Sequence, residues 1–381
     1  MEVGVDLIED VRGNSTEGDG SGAGGGESGG AAGAAGFEFE VLFGGGYWHA
    51  GKDSRPRGLT QSTDAVTVYG MAVLRLGTRA SHLALAQSGM VARRLEALHA
   101  GLTVELVHVK TTGDRVQDRP LQDIGGKGLF TKELELALLA GTVDFAVHSL
   151  KDVPVTEPLI DVSGLVIAAV PPRADARDAL VLSPQLANEG VRSLAQLPET
   201  VRVGTSSLRR ACQVRAVRPE AHVLPLRGNI DTRLWKVREG EYDAILLAMA
   251  GLARGGFLEG GVGAGGDIIP LATAELLPAA GQGALAIQAK AADKGTQSFL
   301  AALNDPATQA AVADEREMIR LLGGDCHSPI AAYSSGGELH VRIFARDGMQ
   351  SAEARGPNAE TVFAEMASRG HLARLGYAKG G

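Results

Sequence analysis

The sequence predicts an α/β protein: two similar α/β domains facing a cleft, followed by a smaller α+β C-terminal domain. Three observations predict it. After residue 71, short β-type apolar runs alternate with amphipathic stretches of helical period. The alternation comes in two series, the second beginning near Val201. Beyond about residue 300 it gives way to a helix, a Gly-Gly loop and alternating strand. A length of 381 residues suits two to three domains.

In chain order, residues 1–70 come first. Eleven glycines fall among the 24 positions 13–36, interleaved with Ser, Ala and acids, too little apolar surface to offset the entropy of ordering. A disordered extension is expected there, without the features of a secretory or transit segment. Met71 stands immediately before the first strand, and translation starting there is the simplest reading of the upstream segment. Val73–Leu76 reads as that strand. Thr78 or Ser81 caps a helix whose Leu83, Ala86, Met90, Leu95 and Leu98 share one face. Val104–Val109 is the next strand. Leu129–Ala140 is a helix with Leu134, Ala137 and Leu138 clustered, closed by Gly141, and Asp144–His148 returns as a strand in a βαβ crossover that implies parallel pairing. The second series runs as strand Val201–Gly204, a helix opening in Thr205-Ser206-Ser207, strand His222–Leu226, helix Ile230–Glu239 closed by Gly240, and strand Asp243–Ala248. Ala284–Ile287 reads as a strand rejoining the first domain. The third domain holds the helix Ala310–Leu322, strand at Glu338–Ala345 and a final amphipathic helix. The division expected is 1–70 as extension, 71–172 with 276–299 as the first α/β domain, 173–275 as the second, and 300–381 as the α+β domain.

Composition excludes several classes. The net charge of -8 is concentrated in residues 1–70, which carry -7, so the remainder is nearly neutral at -1 and does not have the basic excess of a duplex-binding protein. Aromatic residues make up 4% of the chain, too few for a base-stacking surface. Glu275 to Lys290 encloses 14 uncharged residues, too short to span a bilayer. Cys212 and Cys326 are the only cysteines, too few and too far apart for a disulfide framework or a four-thiolate metal site, which suits a reducing cytoplasm.

The candidate chemistry lies where cations meet strand ends and helix starts. Thr205-Ser206-Ser207-Leu208-Arg209-Arg210 gathers free backbone N–H groups, hydroxyls and two guanidiniums where a carboxylate or phosphate binds. The alternative is ordinary N-capping with solvent-exposed arginines. Gly77-Thr78-Arg79-Ala80-Ser81 repeats the pattern, and Arg227-Gly228-Asn229 with Arg233 brackets another helix start. Repeated strand-end arginines in a nearly neutral body point to a ligand with many carboxylates. Gly125-Gly126-Lys127-Gly128, before Lys132, is either a flexible connection or a cationic lid, and its spacing is not that of a P-loop. His148-Ser149-Leu150-Lys151-Asp152-Val153-Pro154 ends a strand. Lys151 and Asp152 there are either an exposed ion pair or a reactive carboxylate kept ionised by its neighbour. Cys212 falls within a helix and reads as core, whereas Cys326 after Gly323-Gly324-Asp325 reads as exposed, reactive or a covalent anchor. Gln282 between Gly281 and Gly283 suggests a hinge or close backbone approach. Two other readings stay open from residues alone. One is a two-domain anion-binding protein without catalysis; the other is a thiol hydrolase using Cys326 and His327.

Eight collinear segments, LRLGTRAS, GGKGLFTKELE, AVHSLKDVP, VGTSSLRRACQ, LRGNIDTRL, YDAILLAMAGL, PAAGQGALAIQ and GGDCHSPI, span about residues 73 to 333 and together resemble the hydroxymethylbilane synthase (porphobilinogen deaminase) family. The resemblance implies two periplasmic-binding-protein-like α/β domains and a third domain carrying Cys326. It implies an enzyme that joins four porphobilinogen molecules head to tail, releasing ammonia at each addition, and then hydrolyses off linear hydroxymethylbilane. It also implies a dipyrromethane cofactor bound through a thioether to Cys326, and Asp152 as the catalytic carboxylate. By the same resemblance Ser149, Lys151, Thr205, Ser207, Arg209 and Arg210 contact the cofactor carboxylates. Arg79, Ser81, Arg227, Arg233, Arg254 and Gln282 are substrate-binding positions, with Lys127 and Lys132 on the loop over the cleft. The expected protein is a cytoplasmic monomer whose partner is its small-molecule substrate, without nucleic acid, membrane or metal.

Overall fold

The structure is a computed structural model that describes residues 72–110, 131–155, 164–258, 267–325, 327–345 and 347–377. The glycine-rich extension, Lys127 with its loop, and Cys326 lie outside these residues.

Two five-stranded sheets are built on one plan. In the first, β1 (Ala72–Thr78) pairs in parallel with β2 (Leu102–His108) on one side and β3 (Phe145–Ser149) on the other. β10 (Leu285–Lys290) then runs antiparallel to both β3 and β4 (Leu165–Ala169), giving the order β2-β1-β3-β10-β4. In the second, β6 (Arg202–Gly204) pairs in parallel with β7 (His222–Leu224) and β8 (Ala244–Ala248). There β5 (Asp178–Leu182) runs antiparallel to β8 and β9 (Ile268–Pro270), giving β7-β6-β8-β5-β9. The strand positions correspond one for one. The parallel pairing expected from the crossovers is present, and each sheet adds one reversed strand that the local pattern did not reveal. The Ala284–Ile287 segment does rejoin the first sheet, as β10.

Helices cover the sheets. α1 (His82–Leu98) starts at Ser81, whose hydroxyl accepts from the Ala84 N–H. Its buried face differs from the one expected: Gln87, Ser88, Val91, Ala92 and Leu95 face inward, while Met90 and Leu98 are exposed. Polar contacts decide this rotation. The Ser88 hydroxyl donates to Thr78 Oγ1 at 2.8 Å and the Gln87 amide donates to Ser149 Oγ at 3.2 Å, so the helix presents them to the ends of β1 and β3. α2 (Lys132–Ala140) buries Leu134, Glu135 and Leu138 and ends at Gly141 in the left-handed conformation, φ 72°. α3 (Pro184–Asn188), α4 (Leu208–Val217), α5 (Ile230–Arg238) and α6 (Met249–Arg254) belong to the second sheet, and α7 (Lys294–Ala301) packs Leu300 into the first core.

The last part of the chain forms a three-stranded antiparallel sheet, β11 (Ile330–Ser335), β12 (Glu338–Phe344) and β13 (Ser351–Gly356). α8 (Pro306–Leu321) and α9 (Ala359–Ser368), with the short α10 (His371–Arg374), close its core around Met318, Leu339, Val341, Ile343, Val362 and Met366. Asp305 caps α8 ahead of Pro306, so the helix begins four residues earlier than its apolar period suggested. Among the described residues, no helix is long and apolar enough to cross a membrane.

Candidate active site

β3 runs out at Ser149 and turns into one 3₁₀ turn, Leu150–Asp152. The fully buried Leu150 anchors that turn: its N–H donates to the Ala284 carbonyl at 3.0 Å, and Val153 N–H donates back to Leu150 O at 3.1 Å. Lys151 and Asp152 therefore leave the sheet in fixed positions, Asp152 exposed and Lys151 reaching Gln282 Oε1 at 3.4 Å. Burial lowers the Lys151 ammonium to about 8; Arg210 and Arg209 push the same way, while Asp152 and Asp178 oppose it.

The strand end of the second sheet that meets it at Gln282 is the turn from β6 into α4. Thr205 Oγ1 accepts from Ser207 N–H at 3.1 Å, and Ser206 Oγ both donates to Leu226 O and accepts from Leu226 N–H. Two of the three hydroxyls thus build the turn itself, and Ser207 makes no capping bond. Arg209 and Arg210 are not the solvent-exposed arginines of the capping alternative. Both are buried and grip one carboxylate, Asp178 at the start of β5: Arg209 Nη1 donates to Oδ2 at 2.8 Å and Arg210 Nη2 to Oδ1 at 2.6 Å. Each also donates to a carbonyl, Leu277 O and Leu246 O respectively. Burial works against the charge of Asp178, but the two guanidiniums and Lys151 hold its carboxyl well below the usual range. The Nε of Arg209 is buried without a hydrogen-bond partner among the described residues. Sequence reasoning missed Asp178; an acid heading the otherwise apolar strand Asp-Ala-Leu-Val-Leu was its one signal.

Arg233 on α5 donates to Gly228 O at 2.7 Å, and burial lowers its guanidinium to about 10. Arg210 and Arg227 push it down further while Asp152 opposes them. Arg254, at the end of α6, donates to Gly283 O at 2.7 Å and is likewise lowered to about 10 by burial. Gln282 is fully buried; its amide donates to Ala176 O at 2.7 Å, and its carbonyl oxygen faces Lys151 and Arg209. Gly281 and Gly283 carry φ of 71° and 88°, and a Cβ on Gly283 would stand 2.6 Å from Ala174 O, which is the close approach expected of this segment. Arg79 acts on the buried His148, which burial lowers to about 4 and whose Nε2 lies 2.9 Å from Gln288 Oε1.

The structure thus places Lys151, Asp152, Arg209, Arg210, Arg227 and Arg233 within electrostatic reach of Lys151 or Arg233, with Gln282 touching Lys151 and Arg209. Ser81 serves as a helix cap, and Lys132 is exposed at the start of α2. Lys127 and Cys326 fall outside the described residues. Cys212 is buried, as expected of a core residue. A separate cavity of about 640 Å³ lies between residues 173–177 and the third sheet, but its Arg173 and Arg177 are already paired with Glu315 and Asp175. No group of three or more His, Cys, Asp or Glu suited to a metal occurs among the described residues. Chemically, the cluster offers carboxylate-binding guanidiniums around one exposed carboxylate.

Residues 74–298 match the family described as porphobilinogen deaminase, dipyromethane cofactor binding domain. The chain is 48% identical over 280 residues to the porphobilinogen deaminase of Roseiflexus sp. (strain RS-1), covering 72% of this chain and 87% of that protein. It is 49% identical over 269 residues to that of Syntrophobacter fumaroxidans, covering 71% and 80%. Against the porphobilinogen deaminase of Streptococcus sanguinis the identity is 44% over 282 residues, covering 73% and 88%.

Proposed function

The chain belongs to the porphobilinogen deaminase family, and from that premise we propose that Asp152 and the cations around it carry the reaction. The enzyme is a transferase of tetrapyrrole biosynthesis, a hydroxymethylbilane synthase that condenses four porphobilinogen molecules head to tail with release of ammonia. The observation that supports the assignment of residues is that the two strand ends meet at one buried side chain, Gln282, whose Oε1 accepts from Lys151 at 3.4 Å and from Arg209 at 3.5 Å.

The residues present fit a dipyrromethane cofactor. Its carboxylates need a site in which cations outnumber anions, and here Lys151, Arg209, Arg210 and Arg233 stand against Asp152 and Asp178, with the buried Nε of Arg209 lacking an acceptor among the described residues. Ser149, Lys151, Thr205, Ser207, Arg209 and Arg210 would hold the cofactor, tethered to Cys326. When bound, it supplies the pyrrole terminus to which the first substrate is joined.

The protein's own groups do the remaining work. Arg227, Arg233 and Arg254, with Arg79 and Ser81, bind substrate acetate and propionate groups; a guanidinium fork matches a carboxylate in two bonds. Gln282 contributes by holding Lys151 and Arg209 in place. Lys127 and Lys132 belong to the segment over the cleft. Asp152 presents its carboxylate to pyrrole N–H groups. Its fixed negative charge stabilises the positive charge left on the pyrrole methylene as the C–N bond of the protonated aminomethyl group breaks and its electron pair departs with ammonia. We place this activity in the cytoplasm and in a single chain: the sequence has only two cysteines, and one chain supplies every group named.

Intact mass and turnover test the reading. The purified protein is expected to exceed its sequence mass by two linked pyrrole units, an excess missing from Cys326→Ala. Asp152→Asn is expected to fold normally and lose turnover by about two to four powers of ten. An active protein of unmodified mass overturns the tether, and a near-normal Asn variant removes Asp152 from the chemistry.

A further inference from the structure

α8 carries two consecutive charged residues that face different parts of the molecule. Glu315 is fully buried and accepts from Arg173, Gly281 N–H and Ser334 N–H. Arg316, next to it, has no carboxylate partner among the ion pairs of the described residues. Its guanidinium is spent on three main-chain carbonyls: Nη1 donates to Leu150 O at 3.4 Å and Val153 O at 2.9 Å, and Nη2 donates to Pro154 O at 2.7 Å. Those three residues bracket Asp152. Burial lowers the Arg316 guanidinium to about 10, so it stays protonated at neutral pH.

A half-buried cation satisfied by neutral oxygens is an expensive way to gain stability, because no opposite charge offsets its desolvation. Apolar packing holds the side chains of Val153 and Val155 at the outgoing end of the turn, and Arg316 binds the main-chain carbonyls there. Leu150 is tied to Ala284 and Val153 to Leu150, but Pro154 has no N–H to donate. A planar fork of five donors reaches three carbonyls at once, which an ammonium does not. We infer that Arg316 is a positioning residue: its fork clamps the turn from Leu150 to Pro154 and so fixes where the Asp152 carboxylate stands among Lys151 and Arg233. The inference rests on the reading of Asp152 as the deaminating carboxylate. It also gives α8 a second role, since the chain that leaves this helix continues through Gly323 and Gly324 toward Cys326.

A double-variant cycle on cofactor-loaded protein, with loading read from intact mass, tests it. Arg316→Ala is expected to lose about tenfold to a hundredfold in kcat with KM changed less than about twofold, the signature of a displaced catalytic group. Adding Arg316→Ala to Asp152→Asn is expected to cost nothing more, because the clamp acts through that carboxylate. Guanidinium ion at millimolar levels should restore part of kcat to Arg316→Ala and none to Asp152→Asn. Independently of activity, the Val153 amide should exchange with solvent at least about tenfold faster in Arg316→Ala. Arg320→Ala, one turn on, whose guanidinium pairs at the surface with Glu317, is the control and should match wild type. Arg316→Lys keeps charge and stem, guards against a folding failure of the Ala variant, and should still lose kcat several-fold. Wild-type kcat in loaded Arg316→Ala or Arg316→Lys beside a crippled Asp152→Asn overturns this inference alone, as do independent, multiplying effects in the double variant. Full turnover in Asp152→Asn overturns the reading of Asp152 and this inference with it.

Discussion

Lys151 and Asp152 adjoin in sequence but live in different surroundings, one turned in toward Gln282 and the other out toward solvent. Because burial brings the ammonium down to about 8, Lys151 keeps its charge below that pH and loses it above. Turnover is therefore expected to fall on an alkaline limb centred near 8, and Lys151→Arg should move that limb upward at a reduced maximum; the pH profile of kcat checks both. The sequence made the cationic strand ends legible, because N-cap chemistry and arginine position are local. It did not make legible that Asp178 occupies Arg209 and Arg210, or that Glu315 joins Arg173 to Ser334. Such partners lie far apart along the chain and are chosen by the fold, so no spacing rule announces them.

At the scale of elements, caps and stops were the most readable features. Ser81, Gly141 and the Thr205-Ser206-Ser207 turn all stand where local chemistry puts them. Faces were less readable, since apolar period alone turns α1 toward Met90 and Leu98, whereas hydroxyl and amide contacts turn it toward Gln87 and Ser88. Glu135 of α2 shows the same limit. It is buried beside Leu134 and Leu138, and burial raises its carboxyl to about 7, against the bonds it receives from Gln288 and Thr131; one carboxylate oxygen has no partner among the described residues. The folded protein keeps this proton to about pH 7, whereas the unfolded chain releases it near 4.5. The contribution to stability is thus complete in acid and is lost as pH rises between those values. Glu135→Gln should accordingly match wild type in Tm near pH 4 and exceed it at pH 8, as thermal unfolding at the two pH values will read.

For the whole molecule, the repeated sheet plan accounts for the equivalent arginine-bearing turns after β1 and β6, at Arg79 and at Arg209-Arg210. The sequence displayed both series but not their equivalence, because the strand that completes each order, β10 or β5, comes from outside its local βα run. The connecting segments run side by side: Ala174 N–H donates to Gly283 O, Arg173 Nε to Gln282 O and Arg254 to Gly283 O. Gly283→Ala places a methyl against Ala174 O at a positive φ, and a loss of about 1–3 kcal/mol is expected. Gly256→Ala, at φ 72° with open space around it, should cost less, which denaturant unfolding of the two variants will compare.

The placement of β10 also orders events during synthesis. Every strand of the second sheet lies between residues 178 and 270, so that sheet has all its strand partners once those residues have left the ribosome. The first half begins earlier and finishes later. Until residues 285–290 emerge, β4 has no neighbour and β3 keeps one naked edge, so the part made first must wait for the part made after it.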